Sequence, residues 1–199
     1  MLEKSTGSEL KDTIVVVSGL PRSGTSMMMA MLEAGGLPLL KDDIREADDD
    51  NPKGYFEFER VKKLREGDFE WLDNAQGKVV KIISYLLLSL PDSYLYRVIF
   101  MQRKLPEIMA SQRKMLVRRG EDPDKVSEEE LGSILENHLR QVDAWIEGEA
   151  NVERIKVDYN HMITDPEADI LRVNQFLGGR LNVDKMAQII DPSLYRQRK

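Results

Sequence analysis

The feature that most constrains this chain is the run Thr13-Ile14-Val15-Val16-Val17, which continues into Ser18-Gly19-Leu20-Pro21-Arg22-Ser23-Gly24-Thr25-Ser26. An unbroken β-branched run reads as a strand buried on both faces, which favours a parallel sheet covered by helices over an antiparallel sheet with one wet side. The glycines and proline punctuate a tight turn. Thr25–Ala34 reads as a helix, stopped by Gly35-Gly36. A buried strand turning directly into a helix aims the first amides of that helix, and its positive end, at one spot. That is a ready site for an anion.

The rest of the chain repeats the alternation. Val79–Ile83 and Val98–Met101 are strand candidates, Leu105–Val117 and Glu128–Glu147 are helical, and Arg154–Val157 is a short strand. Glu167–Leu177 is a helix closed by Gly178-Gly179, and Asp184–Ile190 is a last helix. Segments 41–54 and 118–127 are charged and read as loops. Strand and helix in alternation predict an α/β fold of three layers, α/β/α, with a mostly parallel sheet. Residues 1–12 are expected to be a flexible N-terminal segment and 13–199 a single domain.

The spacing of Gly19 and Gly24 equals that of a Walker A loop, which places the expected fold among the P-loop NTPase-like ones. The chemistry departs from it, because Thr25 stands where that loop carries its phosphate-gripping lysine. The loop's cation is instead Arg22, whose planar fork can pair with two anionic oxygens. The plain alternative is a strand–turn–helix junction of small residues. Against it, an arginine in so short a loop is costly unless an anion meets it.

Composition narrows the remaining classes. With no cysteine the chain has no disulfide scaffold, thiol chemistry or cysteine metal cluster. A net charge of −6 makes general nucleic-acid binding unlike it, although a local basic pocket is compatible with an acidic whole. No apolar stretch approaches the ~20 residues of a membrane span, and the polar N-terminus resembles no targeting signal. The expectation is a cytoplasmic protein.

A second basic site is suggested by Tyr96–Met101 leading to Arg103, with Ser111 on the helix that follows Pro106. At this point the chain resembles the P-loop sulfotransferase family, and its bacterial-type members in particular. In that family a loop like Pro21–Ser26 binds the 5′-phosphosulfate of 3′-phosphoadenosine 5′-phosphosulfate (PAPS). An arginine and a serine related as Arg103 and Ser111 bind the 3′-phosphate. Two further stretches are similar to family segments: Asn51-Pro52-Lys53-Gly54-Tyr55-Phe56-Glu57, and Val157-Asp158-Tyr159 through Asp165-Pro166-Glu167 to Phe176-Leu177-Gly178. Asn160 and His161 depart from the family's acidic pair. Together the matches span residues 13–178.

The resemblance implies a PAPS-dependent transfer of a sulfonyl group to a hydroxyl or amine of an unidentified acceptor, with no metal. It implies Arg22, Ser23, Gly24, Thr25 and Ser26 at the phosphosulfate, Arg103 and Ser111 at the 3′-phosphate, and Tyr159 near the adenine. A core role for Tyr159 is equally open. Lys81 matches a family lysine that stands two residues before a histidine base, and near a buried strand end it is placed to touch the phosphosulfate, with a surface lysine as the equal alternative. Animal cytosolic members place their base two residues beyond that lysine, where this chain has Ile83. Other branches use a glutamate. Here Glu57 is the first candidate and Glu59 the second, on an extended segment whose alternation sets Phe56 and Phe58 to one side and both glutamates to the other. His138 and His161 read as structural, and Met27, Met28, Met29 and Met31 as core filling behind the loop helix. The acidic run Asp42–Asp50 reads as a solvated loop. Arg196, Arg198 and Lys199 form a basic tail that the resemblance would fold over the nucleotide. Two other readings stand: a P-loop kinase or hydrolase, which Thr25 disfavours, and a module that binds PAPS or its product PAP without transfer.

Overall fold

The structure is a computed structural model that describes residues 10–42, 44, 45, 48, 54–191 and 193. Residues 1–9 of the expected flexible segment, most of the acidic run and the basic tail lie outside the described residues. Leu10–Asp12, which the sequence reading placed in the flexible segment, forms a 3-10 turn that leads into the first strand.

Five parallel strands form one sheet: β1 (Thr13–Gly19), β2 (Leu39–Leu40), β3 (Val79–Lys81), β4 (Leu95–Gln102) and β5 (Val152–Asp158), in the order β2-β3-β1-β4-β5. β1 lies at the centre and every one of its residues is buried. The unbroken run in its sequence follows from that position. Ile14 and Val16 enter the core on one face, Val15 and Val17 the core on the other. Each such side chain contributes roughly 1.5–3 kcal/mol by leaving water.

Seven α-helices accompany the sheet among the described residues: α1 (Thr25–Ala34), α2 (Ser84–Leu87), α3 (Leu105–Arg118), α4 (Glu128–Gly148), α5 (Tyr159–Thr164), α6 (Pro166–Phe176) and α7 (Val183–Gln188). α1, α5, α6 and α7 cover one face, where Met28, Met29, Met31 and Leu32 meet Val17, Ile99 and Val157. α2, α4 and the 3-10 helices Glu59–Glu66 and Glu70–Ala75 cover the other, where Leu64, Trp71 and Val142 meet Val16, Val80 and Phe100. The result is the three-layer α/β/α arrangement expected from the alternation. Ser127 caps α4 by accepting from the amide of Glu130 at 3.2 Å, half of a capping box.

Two expectations need correction. The strand expected to reach Ile83 ends at Lys81, and the apolar stretch beyond it turns into α2. Phe56 and Phe58 do not share a side: Phe56 packs on the core beside α1, and Phe58 on the core beneath Trp71. The cause is Phe56 itself, whose φ of +53° rotates the chain and breaks the alternation of an extended segment.

The register brings the critical residues to one edge. Met101 pairs with Gly19 on one side and Val157 on the other, so Arg103 and Tyr159 leave the sheet level with the loop after β1. Lys81 lies opposite Val17, at the last paired position of β3. The C-terminal edge of such a sheet is where α/β proteins bind ligands.

Candidate functional site

β1 ends at Gly19, where even one added methyl group would fall 2.6 Å from the Met101 carbonyl oxygen. The loop that follows closes on itself as the amide of Ser23 donates to Leu20 O at 3.1 Å. Ser23 is therefore a loop-shaping residue: its amide is spent, its hydroxyl is buried without a hydrogen-bond partner, and it does not face the cavity described below. α1 opens at Gly24, in a left-handed conformation (φ +97°), with no side chain capping the helix. Gly24, Thr25, Ser26 and Met27 line a cavity of about 440 Å³, and the first-turn amides of α1 have no acceptors within the helix. The ring of Tyr159 packs against Gly24 so closely that a Cβ there would fall 2.3 Å from Tyr159 Cδ2.

Sequence reasoning separated Arg22 from the pair Arg103 and Ser111. The structure joins them. Arg22 Nε donates to Ser111 Oγ at 2.9 Å, and Arg103 Nη1 donates to the Arg22 carbonyl at 3.0 Å. Arg22 itself has φ +77°, an uncommon conformation for a residue with a side chain. The Arg103 guanidinium lies over the Tyr159 ring, 4.6 Å from its centre. Its Nε is tied to Glu107, which is fully buried, at 2.9 Å. Glu107 in turn accepts from Asn160 Nδ2 at 2.9 Å. Neither Glu107 nor Asn160 was singled out as a support for this arginine: Arg103 precedes α3 while Glu107 lies in its first turn, so no helix-face spacing announced the pair. Asn160 is also one of the two residues, with His161, at which the chain departs from the resembling pattern.

Lys81 occupies the opposite wall. Its Nζ donates to Ser26 Oγ at 3.1 Å and to the Tyr55 carbonyl at 2.5 Å, and lies 3.9 Å from Glu57 Oε1. Burial lowers its pKa to about 8; Glu57 resists the shift, whereas Arg45 and Arg22 add to it. Glu57 also accepts from Arg45 Nη1 at 2.8 Å, and the Arg45 guanidinium lies 3.3 Å from the centre of the Tyr55 ring. Glu57 thus faces the cavity between two cations. Glu59 does not: it opens the 3-10 helix, pairs with Lys62 at 2.5 Å and lies outside the cavity lining. Ile83 lines the cavity together with Phe58, Val61, Leu86 and Met115, giving it one apolar wall.

Both histidines have structural partners. His138 Nε2 lies 2.9 Å from Ser84 Oγ, its ring stacks on Tyr85, and burial lowers its pKa. His161 Nδ1 lies 2.7 Å from Asp169 Oδ2, and that carboxylate raises its pKa. Among the described residues there is no group of three or more His, Cys, Asp or Glu placed to hold a metal ion, and no helix long and apolar enough to cross a membrane.

No family model matches the chain, and neither does any curated protein. Among solved structures it is similar to the sulfotransferase domain of the olefin synthase of Synechococcus PCC 7002. The match has 16% identity, covers 100% of this chain and 92% of that one, and has a TM-score of 0.53. At that identity the likeness is one of architecture: the chain has the α/β fold of a sulfotransferase domain.

Proposed function

We propose that the protein is a PAPS-dependent sulfotransferase that moves a sulfonyl group to a hydroxyl or amine of an unidentified acceptor. The observation that carries this reading is a single cavity at the C-terminal edge of the sheet. It joins the uncapped start of α1 to Arg22, Lys81, Arg103 and Ser111, with Glu57 facing the same space. Two clusters of cations and donors, one on each wall of that cavity, suit a donor that is anionic at two places. Thr25 in place of the Walker lysine counts against a kinase or hydrolase.

The residues present fit such a donor. The amides of α1, Ser26 and Lys81 would hold the phosphosulfate, and Arg103 with Ser111 the 3′-phosphate. Tyr159, beneath the Arg103 guanidinium, would flank the nucleoside. The donor supplies a sulfonyl group on a phosphate leaving group. Glu57 takes the proton of the acceptor O–H or N–H as that atom bonds to sulfur and the sulfur–oxygen bond to the phosphate breaks. Lys81, in its charged form, and the α1 amides stabilise the negative charge that gathers on the departing phosphate oxygen. The acceptor lies along the apolar wall of Ile83, Leu86 and Phe58.

Calorimetric titration with PAP, ADP and ATP, with and without Mg²⁺, tests the reading. The expected result is PAP bound most tightly and without need of Mg²⁺. ATP bound and hydrolysed only with Mg²⁺ would overturn it in favour of a P-loop hydrolase.

A further inference from the structure

We infer that the acceptor is an apolar, hydroxyl-bearing molecule that ends in an anionic group, a carboxylate or a phosphate, received at the mouth of the cavity by Lys62, Lys114, Arg118 and Arg119. The inference rests on the reading proposed above and names the substrate class for it. The acceptor's hydroxyl oxygen bonds to the donor's sulfur, its proton passes to Glu57, and PAP departs with the electrons of the broken sulfur–oxygen bond.

Three observations carry it. First, the cavity gathers more cations than the donor and the base engage. Arg22, Lys81 and Arg103 stand where the donor's anionic ends are proposed, and Arg45 is held by Glu57. Lys62, Lys114, Arg118 and Arg119 line the same space, where Asp191 is the one carboxylate besides Glu57 among the described residues. All four are exposed, so they stand at the mouth. Second, α3 carries three of them away from the donor. Arg103 precedes that helix and Ser111 lies within it, whereas Arg118 and Arg119 end it. At 1.5 Å per residue, these two lie about 10–12 Å beyond Ser111 along the axis. Cations in a last turn also suit the helix dipole, but that does not account for Lys114, in mid-helix, or for Lys62, on the first 3-10 helix. Arg113, which does not line the cavity, is matched by an acid: its Nη2 donates to Asp124 Oδ2 at 3.0 Å. Lys114 and Arg119 form no ion pair among the described residues. Lys62 pairs with Glu59, an exposed contact that an anionic ligand can exchange at little cost. Third, these cations adjoin the apolar wall. Val61 and Met115, the chain neighbours of Lys62 and Lys114, belong to it together with Ile83 and Leu86. The wall also continues outward, because Lys62, Ile83 and Leu86 line a neighbouring hollow to which Arg65 and Tyr85 belong and no acid does. An apolar body with an anionic end matches such a surface. A protonated amine is repelled by it, which favours the hydroxyl as the reacting group.

Calorimetric titration of the PAP-bound protein with ω-hydroxydodecanoate, its primary amide and the ω-hydroxydodecyl trimethylammonium ion separates charge from shape. The carboxylate should bind roughly ten-fold tighter than the amide, the ammonium ion should bind most weakly, and added salt should narrow the differences. In the double variant Lys114→Gln and Arg119→Gln, two exposed substitutions that leave the core alone, carboxylate affinity should fall by roughly three-fold or more while the amide and PAP stay within about two-fold. With PAPS, kcat/KM for sulfation should follow the same order, carboxylate above amide. An amide bound as well as the carboxylate overturns the inference, as does binding by none of the three, or a variant that loses carboxylate and amide alike. A variant that loses PAP affinity in the same proportion assigns these cations to the donor and overturns it as well. A wild type that does not bind PAP overturns the donor reading itself, and the acceptor class with it. The wild-type series decides alone if the double variant does not fold.

Discussion

Glu57 is the residue on which transfer, as distinct from binding, depends in this proposal. Its carboxylate is held by Arg45 and faces Lys81, so it is positioned by two cations without being buried. Glu57→Gln retains a hydrogen-bonding partner for Arg45 but removes the proton acceptor. Sulfonyl transfer to a panel of hydroxyl and amine acceptors should fall by roughly 10²–10⁴, while calorimetric PAP affinity stays within about two-fold; full-rate transfer would remove Glu57 from the role. Sequence placed Glu57 and Glu59 together as a pair, because strict alternation was the simplest reading of their segment. What it did not reveal is Phe56 at φ +53°, a conformation that no local preference of phenylalanine predicts. Nor did it reveal that the chain turns into a 3-10 helix at Glu59, which parts the two glutamates. In the same way, Arg22 and Ser111 were legible as basic and hydroxyl partners of an anion, but their mutual contact joins positions 89 apart in the chain.

At the scale of elements, the junction of β1, its loop and α1 depends on the ring at the end of β5. Gly24→Ala puts a methyl group into that ring and also forces a side chain onto a left-handed backbone. Denaturant unfolding should record a loss of about 2–4 kcal/mol, strain and clash together. Pairing it with Tyr159→Ala should recover the clash but not the strain, so the double variant loses less than the two single changes summed; strict additivity would contradict the contact. The long elements were readable because period and punctuation agreed: β1 and α1 between glycines, α4 behind its serine cap, α6 before Gly178-Gly179. The elements that escaped are those whose period is too short or too odd to announce itself. They are the two 3-10 helices, the two-residue β2, and α5, which occupies only Tyr159–Thr164. The 3-10 helices matter to the site, because the first of them carries Glu59 away from the cavity.

For the whole molecule, an acidic chain of net charge −6 gathers Arg22, Arg45, Lys81 and Arg103 around one cavity. Lys81 bears the cost of that gathering, with a folded pKa of about 8 against an ordinary 10.5. Between those values the unfolded chain holds more proton than the folded one, so this group's contribution to stability improves as pH rises. Lys81→Met should therefore stabilise the free protein most below pH 8. By pH 10.5 its advantage should have shrunk by about 3 kcal/mol at most, as measured by unfolding across the pH series; an advantage independent of pH would place Lys81 outside the buried environment described. PAP affinity of the wild type should move the other way over the same window, falling as the ammonium is lost. The parallel α/β class was legible in the sequence because buried runs alternate with helical periods. The order β2-β3-β1-β4-β5 was not, since it is settled by pairings between distant segments. That order has a further consequence for how the protein is made. The cradle begun by the loop at residue 22 is walled by Arg103, just after β4, and closed by Tyr159, which opens α5 after β5. If the proposed donor binds there, most of the polypeptide is made before a nucleotide could find a finished seat, and the donor would assist only the last stage of folding.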